Sequence, residues 1–568
     1  MSNSDRRQYL TATVLDQDFL DDSHDNLENK LELTVDIETP GGGFIRASDR
    51  PKYVDGVFYD NRLIFPVIGR TIGEWLSPEI ELSTVKIELN NADGQYDEFL
   101  PGGASYDGFI GLSVTVKLGL RDVGSTYTTI FKGRISDISG FGRTVRSIVI
   151  VARDDYEKLQ VDFPTAVLNT TSFPDIADEN AGLVAPVIYG DWTVSGNPQT
   201  NDASVPAYVV NGNASIGSLG TNVEMFISQN DLQSFDTSSV YLRRGDQYYA
   251  IDSADITNVS AGNRQFEIIQ DSGNTTIDGS NFVLEDGDEF FCKVVGEDLG
   301  AYTDNIVWQA RHILTTYASV DPGEFDSNWV TYRDKASPAE SSISTIKSRV
   351  WIQDPQSVLE FVLSLLEQVR LEMFIDRSLN LKLNSLHFDD FDPSPSYRVT
   401  NFDVERATFE PRIDERNTFN RAQGVYNFLP DINENAYRTS IYRNSAAITQ
   451  MKKEISKEIV FPNLYVLSDV TNQLQEVIKL ASAAYEHIYC TLTWRSLLLD
   501  IGDFVFLDVK IGSTVYESIP CSVREIGYDP NGIKLPVRLW SFQLVPFPGF
   551  AGASGSVGGQ TATITEET

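Results

Sequence analysis

Residues that carry chemistry are scarce in this chain. Its 568 residues include 3 Cys and 4 His. Cys292, Cys490 and Cys521 are odd in number and far apart, which argues against a disulfide framework and is ordinary for buried thiols in a reducing compartment. His24, His312, His387 and His487 stand in unrelated contexts, and no two have the i, i+4 spacing that sets two imidazoles on one metal. His487 and Cys490 could supply half of a metal site, but no second half lies nearby. Cys490 also falls where the strand pattern points apolar residues inward, so core packing is the commoner meaning. His387 precedes Asp389, Asp390 and Asp392, with Pro393 and Pro395 marking a solvated acidic turn. No catalytic, cofactor-binding or metal-ligating residue is assigned, and no cofactor is expected.

Positive charge is also short. Lys and Arg number 45 against 81 Asp and Glu, a formal net charge of -36, whereas a general nucleic-acid binder needs the opposite sign. Long apolar runs are absent: the best candidate, Val358 to Val369, is interrupted by Glu360, Glu367 and Gln368, short of the roughly 20 apolar residues of a membrane helix. Arg6 and Arg7 are followed by Thr and Asp rather than an apolar signal core, so the chain is expected to fold in a cytoplasm. There is no Gly-x-Ser-x-Gly elbow, and neither Gly41-Gly-Gly nor Gly102-Gly completes a phosphate loop with its lysine. The segment Asn90-Asn-Ala-Asp-Gly-Gln-Tyr-Asp-Glu invites comparison with a calcium loop, but its glycine is misplaced for an EF-hand, and a hairpin turn is the expected role.

What the chain does have is core. Hydrophobic residues make up 41%, with 24 Tyr and 31 Phe, and the length suggests about four domains. From Lys30, Leu31, Leu33, Val35 and Ile37 alternate with Glu32, Thr34 and Asp36, one buried face and one wet, before a Thr-Pro-Gly-Gly-Gly stop. Val85-Lys-Ile-Glu-Leu and Val114-Thr-Val-Lys-Leu repeat the pattern. Asp191 to Gly300 is rich in Asn, Ser, Gly and Thr, with strand candidates at Val240, Gln247 and Gln265. Helical spacing begins behind Asp304 as N-cap, again at Asp354-Pro355, and a third time at Ser468. The expected architecture is mainly β and multidomain, with a helix-plus-hairpin α+β unit at its centre. The expected divisions are 1–29 an acidic arm, 30–165 an antiparallel β domain, 166–300 an inserted β module, 301–400 the α+β domain, 401–548 a second β domain and 549–568 a flexible tail.

The order of these segments resembles the tail hub, or central baseplate protein, of tailed bacteriophages. Val85-Lys-Ile-Glu-Leu-Asn-Asn-Ala-Asp-Gly-Gln-Tyr followed by Phe131-Lys-Gly-Arg-Ile is similar to the family's first barrel. Ala185-Pro-Val-Ile-Tyr-Gly-Asp-Trp resembles the entry to its inserted module, and Asp354 to Leu383 its helix plus hairpin. Arg421-Ala-Gln-Gly-Val-Tyr-Asn-Phe, Leu499-Asp-Ile-Gly-Asp-Phe-Val-Phe-Leu and Val523-Arg-Glu-Ile-Gly-Tyr-Asp-Pro-Asn-Gly are similar to its second barrel.

The resemblance implies a non-enzymatic virion protein at the tail tip or baseplate, assembled in the host cytoplasm. It implies a homotrimeric ring in which both β domains of each subunit, 30–165 and 401–548, are tube-like β-barrels related to the tail-tube fold. The implied partners are the tail tube or distal tail protein, the tape-measure protein and tail-tip fibre or receptor-binding proteins. Viral DNA would pass through without specific binding, and the carboxylate excess is compatible with a wall that holds phosphate weakly. Two rivals stand beside it: a carbohydrate-binding tail fibre or adhesin, motivated by Tyr248-Tyr249, and a tail-associated cell-wall hydrolase. Trp75, Trp192, Trp308 and Trp494 are read as core or interface anchors.

Overall fold

The computed structural model describes residues 31–64, 67–74, 77–120, 127–140, 146–176, 178–194, 204–211, 221–245, 247–270, 287–335, 343–376, 380–386, 397–414, 418–482, 485–493, 496, 499–512, 514–528, 534–541 and 564–566. Period-two alternation becomes strand throughout the first stretch: β1 (Leu31–Glu38), β2 (Phe44–Ser48), β3 (Lys52–Val54), β4 (Val57–Asn61), β5 (Val67–Glu74), β6 (Ser77–Asn90), β7 (Ser113–Leu120), β8 (Thr128–Gly140) and β9 (Ser147–Asp154), with helix α1 (Tyr106–Phe109) between β6 and β7. They lie in the order β5-β6-β9-β8-β7-β1-β2-β4-β3. All these pairs are antiparallel except β2 with β4. Leu33, Val35, Ile37, Val85, Ile87, Leu89, Val114, Val116, Ile148 and Ile150 point to one side and are buried together. Each such side chain contributes about 1.5–3 kcal/mol of apolar burial.

Two local expectations change here. The polar side of β1 is not wet: Glu32 and Thr34 are buried, because Glu32 accepts from Lys52 Nζ at 2.8 Å and from the Tyr127 hydroxyl at 3.2 Å. Nor is Asn90–Glu98 a hairpin turn. β6 pairs with β5 and β9, while β7 pairs with β1 and β8, so the segment connects strands that are not neighbours.

The chain then leaves the sheet through β10 (Asp162–Phe163) and β11 (Val187–Tyr189) and enters a second sheet: β12 (Val205–Asn211), β13 (Thr221–Phe226), β14 (Ser234–Arg244), β15 (Gln247–Ala250), β16 (Ile256–Thr257), β17 (Gln265–Gln270) and β18 (Glu289–Val295). These seven strands lie in the order β15-β14-β18-β12-β13-β17-β16 over their own core. Helix α2 (Ile306–Tyr317) follows, then α3 (Asn328–Asp334), β19 (Val350–Ile352), β20 (Gln356–Ser357), α4 (Val358–Glu367), β21 (Leu371–Ile375) and β22 (Leu381–Ser385). The helix stripes are as expected, with Val358, Leu359, Val362, Leu365 and Leu366 buried on α4. The starts differ. Asn305, not Asp304, caps α2, accepting from Trp308 N at 3.0 Å, while Asp304 accepts from Asp191 N at 2.8 Å. Asp354-Pro355 does not open α4. Gln356–Ser357 pair instead with β10 and the helix begins after Ser357, since strand pairing takes the backbone groups a longer first turn would need.

The last part carries β23 (Tyr397–Thr400), β24 (Glu410–Asp414), β25 (Arg421–Leu429), β26 (Glu434–Asn444), α5 (Ser445–Met451), β27 (Ser456–Phe461), α6 (Leu467–Ala481), β28 (Tyr485–Thr493), β29 (Phe504–Ile511), β30 (Thr514–Tyr528), β31 (Lys534–Ser541) and β32 (Ile564–Glu566). β27-β25-β26-β32 form a four-stranded sheet. β32 thus pairs with Tyr442–Asn444 where composition suggests only a flexible tail. The side chains of Phe419, Phe461, Val470 and Leu474 join the core of α2, α4 and β21. The other strands run β24-β28-β31-β30, with β29 between β23 and β30. β30 then pairs antiparallel with β5, Glu525 opposite Thr71 through Tyr528 opposite Ile68. One 15-stranded sheet therefore runs through the first and last parts of the chain, and one apolar cluster includes residues of both.

Candidate functional site

Seen residue by residue, the sparse chemistry is spent on packing. Cys292, Cys490 and Cys521 are buried, and burial pushes all three thiols up, Cys490 to about 12. His312 Nδ1 lies 2.9 Å from the Tyr189 hydroxyl and Nε2 lies 3.3 Å from Thr316 Oγ1, with burial holding the ring's pKa below its ordinary value. His487 lies in β28, opposite Arg412 and Trp540. His24, His387, Asp389, Asp390, Asp392, Trp75 and Trp494 fall outside the described residues. Among the described residues no cluster of His, Cys, Asp and Glu could hold a metal. No described helix is long and apolar enough to cross a membrane.

The side chains of the Asn90–Glu98 segment look at their own loop rather than at one point. Arg62 donates to both Asp93 oxygens at 2.9 and 2.7 Å and holds that carboxyl down to about 2; Asn91 donates to Asp97 at 2.9 Å and accepts from Tyr96 N at 2.8 Å. Tyr248 is likewise committed. Its hydroxyl donates to Asp431 Oδ2 at 2.8 Å, and Arg243 donates to the Asp431 carbonyl at 2.7 Å, tying the β14–β15 hairpin to the β25–β26 loop. Trp192 is buried and donates to the Tyr189 carbonyl at 3.0 Å.

Among the described strands, the long sheet has three that pair with one neighbour only: β3, β24, and β23, which pairs with β29. At one end β3 and β4 form a hairpin whose turn residues Asp55 and Gly56 both have positive φ, 50° and 78°. That matches the tight turn that a right-handed strand twist prefers. Tyr53 and Phe58 face each other across it with ring centroids 5.2 Å apart, 73% and 48% exposed, beside the half-exposed Phe44. At the other end β24 pairs only with β28 among the described strands, near the part of the chain where Phe402 is 71% exposed. Exposed aromatic pairs and unpaired strand edges are costly in a free subunit. Sequence reading passed over this hairpin, although Asp55-Gly56 between Lys52-Tyr-Val and Val57-Phe-Tyr is its signal.

Two buried arginines fasten the parts together and were also missed. Arg349, beside β19, lies over Trp192 at 4.4 Å and Tyr465 at 4.9 Å and donates to the Val194 carbonyl at 3.2 Å and to Asn427 Oδ1. Arg524 donates to both oxygens of Glu372 at 2.7 Å, joining β30 to β21. Charge is unevenly spread. Residues 166–300 hold 20 Asp and Glu against 4 Lys and Arg, while residues 30–165 hold 20 against 15. The net charge therefore gives no argument for an acidic wall on the long sheet.

The solved structures that this chain matches include phage tail proteins. One is the 43 kDa tail protein of prophage MuSo2 from Shewanella oneidensis, at 11% identity over 90% of this chain and 98% of that one, with a TM-score of 0.37. A second is the tail protein from Neisseria meningitidis MC58, at 9% identity over 90% of this chain and 96% of that one, with a TM-score of 0.40. A third is the Francisella PdpA-VgrG complex in its lidded form, at 10% identity over 94% of this chain and 56% of that one, with a TM-score of 0.33. No protein-family model and no curated protein matches the chain. At these TM-scores the likenesses assign no residue, partner or activity to this chain.

Proposed function

We propose that this chain is a non-enzymatic structural protein of a phage tail tip or baseplate, the subunit of a trimeric hub. The observation that carries the reading is the β30–β5 join. It merges two halves into one sheet and uses up one edge of each, leaving open ends at the Tyr53–Phe58 hairpin on one side and at β24 and β23 on the other. A surface open at two different places suits head-to-tail contact, which closes into a ring when the rotation allows. On this reading each half is one tube-like unit, six units surround a channel, and the acidic 166–300 module faces outward to tip or receptor-binding proteins. Tail tube and tape-measure protein contact the ring, and DNA passes without specific binding.

Of the Tyr248-Tyr249 pair behind the adhesin rival, Tyr248 has its hydroxyl bound to Asp431 and Arg243 over its ring, so less of it is open to a sugar. Light scattering and single-particle electron microscopy of the purified chain test the proposal. A three-fold particle of about 190 kDa, from 63.3 kDa subunits, is expected. Tyr53→Ser with Phe58→Ser should give monomers with an unchanged circular dichroism spectrum. A wild-type chain that remains monomeric at every concentration up to that of assembled tails would overturn the hub reading.

A further inference from the structure

Beside α2, aromatic rings and guanidinium planes alternate in a stack of five. Arg333 lies over Tyr302 at 4.1 Å and over Trp308 at 4.6 Å. Arg311 lies over the same Trp308 at 4.6 Å and over Phe325 at 4.8 Å. Phe325 in turn meets Trp329 edge-on, with centroids 5.1 Å apart, and Trp329 is anchored by its Nε1 donating to the Leu381 carbonyl at 2.9 Å. The stack is thus built on a fixed floor.

The two arginines differ in what their edges meet. Arg333 donates from Nε and Nη2 to the Asp334 carboxylate at 2.7 and 2.6 Å. Among the described residues, the Arg311 guanidinium has no hydrogen bond and no ion pair, and Arg333 is the one charged group that acts on it. That is unusual in a chain with 81 acidic and 45 basic residues. Elsewhere the same planar fork is filled, by Asp288 on Arg244 and Glu410 on Arg412. Stacking consumes the faces of a guanidinium and leaves its N–H edge free, oriented and stripped of part of its water, which is the state that best receives a planar oxyanion.

We infer that Arg311 is a docking point for a single carboxylate of a partner protein, an Asp, Glu or chain-end group, received edge-on by a guanidinium that Trp308 and Phe325 hold flat. A nucleic acid fits less well: two arginines already lie against Trp308, and the -36 charge repels a polyanion more than it repels one carboxylate. The inference does not depend on the hub reading, because it concerns what the purified chain binds whether or not it assembles.

The test is arginine modification of the full chain by phenylglyoxal, mapped by peptide mass spectrometry. Arg311 should react several-fold faster than Arg333 or Arg349. A blocked peptide with one carboxylate, acetyl-Gly-Asp-Gly-amide, at about 20 mM should slow Arg311 by about threefold. The isosteric acetyl-Gly-Asn-Gly-amide should not. With Trp308→Leu the ring no longer pins the guanidinium, and the protection should vanish while Arg311 still reacts; Phe325→Leu gives the same readout should the first variant fail to fold. Arg311 reacting no faster than Arg333, or equal slowing by the Asn peptide, overturns the inference. Stronger protection by inorganic phosphate at equal ionic strength overturns the carboxylate assignment and makes the site one for phosphate.

Discussion

The join between the α+β unit and the last strands of the long sheet can be broken at one residue. Glu372 and Arg524 are 8% and 3% exposed, and one guanidinium nitrogen donates to both carboxylate oxygens at 2.7 Å. Arg524 points there because β30 is bulged: its register with β31 slips between Val523 and Glu525, so Arg524 is the extra residue and is turned off the alternation. Glu372→Leu strands a buried cation, and the loss for breaking one side of such a pair is about 3–5 kcal/mol. For a unit of this size a kcal/mol moves the melting point by about 2 °C, so the transition should fall by about 6–10 °C. The double variant Glu372→Leu with Arg524→Met removes both charges and should melt within about 2–4 °C of the native chain, since replacing a buried pair by apolar groups of similar size is close to neutral. Calorimetry reads the transition, and hydrogen exchange resolved to β21 and β30 locates it. A shift below about 2 °C for the single variant, or a double variant as unstable as the single, would refute the assignment of this pair as the fastening.

Three further outcomes follow from packing and protonation. His312 is held neutral by burial, so the unfolded chain takes up its proton first: stability from this group is present above about pH 6.5 and falls as pH drops below it. Once the slower intrinsic exchange at low pH is corrected for, protection in α2 should therefore fall between pH 7.5 and 5.5 more in the native chain than in His312→Gln, and an equal fall would count against a buried neutral imidazole. Cys292, Cys490 and Cys521, with their thiols pushed up, should resist iodoacetamide near pH 8 until denaturant is added; rapid labelling of any one in the native chain contradicts its burial. Gly190 has φ of 82°, and a Cβ there would stand 2.4 Å from the Ser348 carbonyl oxygen. Gly190→Ala should cost at least about 2 kcal/mol by urea unfolding, while a near-native midpoint would mean the β11 crossing is looser than described.

Much of the local structure was legible from residue pattern because one side chain's neighbours along the strand or helix are fixed by the backbone period. Leu33, Val35 and Ile37 on β1, and Val358 through Leu366 on α4, announce a buried side with no knowledge of what buries it. Polar surroundings were less legible. Glu32 reads as solvent-facing until Lys52 and Tyr127 arrive from elsewhere in the chain, and Tyr248 reads as a sugar platform until Asp431 reaches it. The expected helix start at Asp354-Pro355 failed for the same reason: β10, nearly 200 residues earlier, takes the backbone of Gln356–Ser357 as a strand partner.

By itself the sequence determined a mainly β, multidomain chain with buried thiols and three central or late amphipathic helices, because composition and periodicity act at short range. Tertiary structure alone decided that β30 meets β5, that a bulge aims Arg524 at Glu372, and that Arg311 lies against aromatic rings with no carboxylate partner among the described residues. Those are pairings between residues far apart in the chain, and which distant group arrives at a given edge or charge depends on how whole sheets pack rather than on any local spacing.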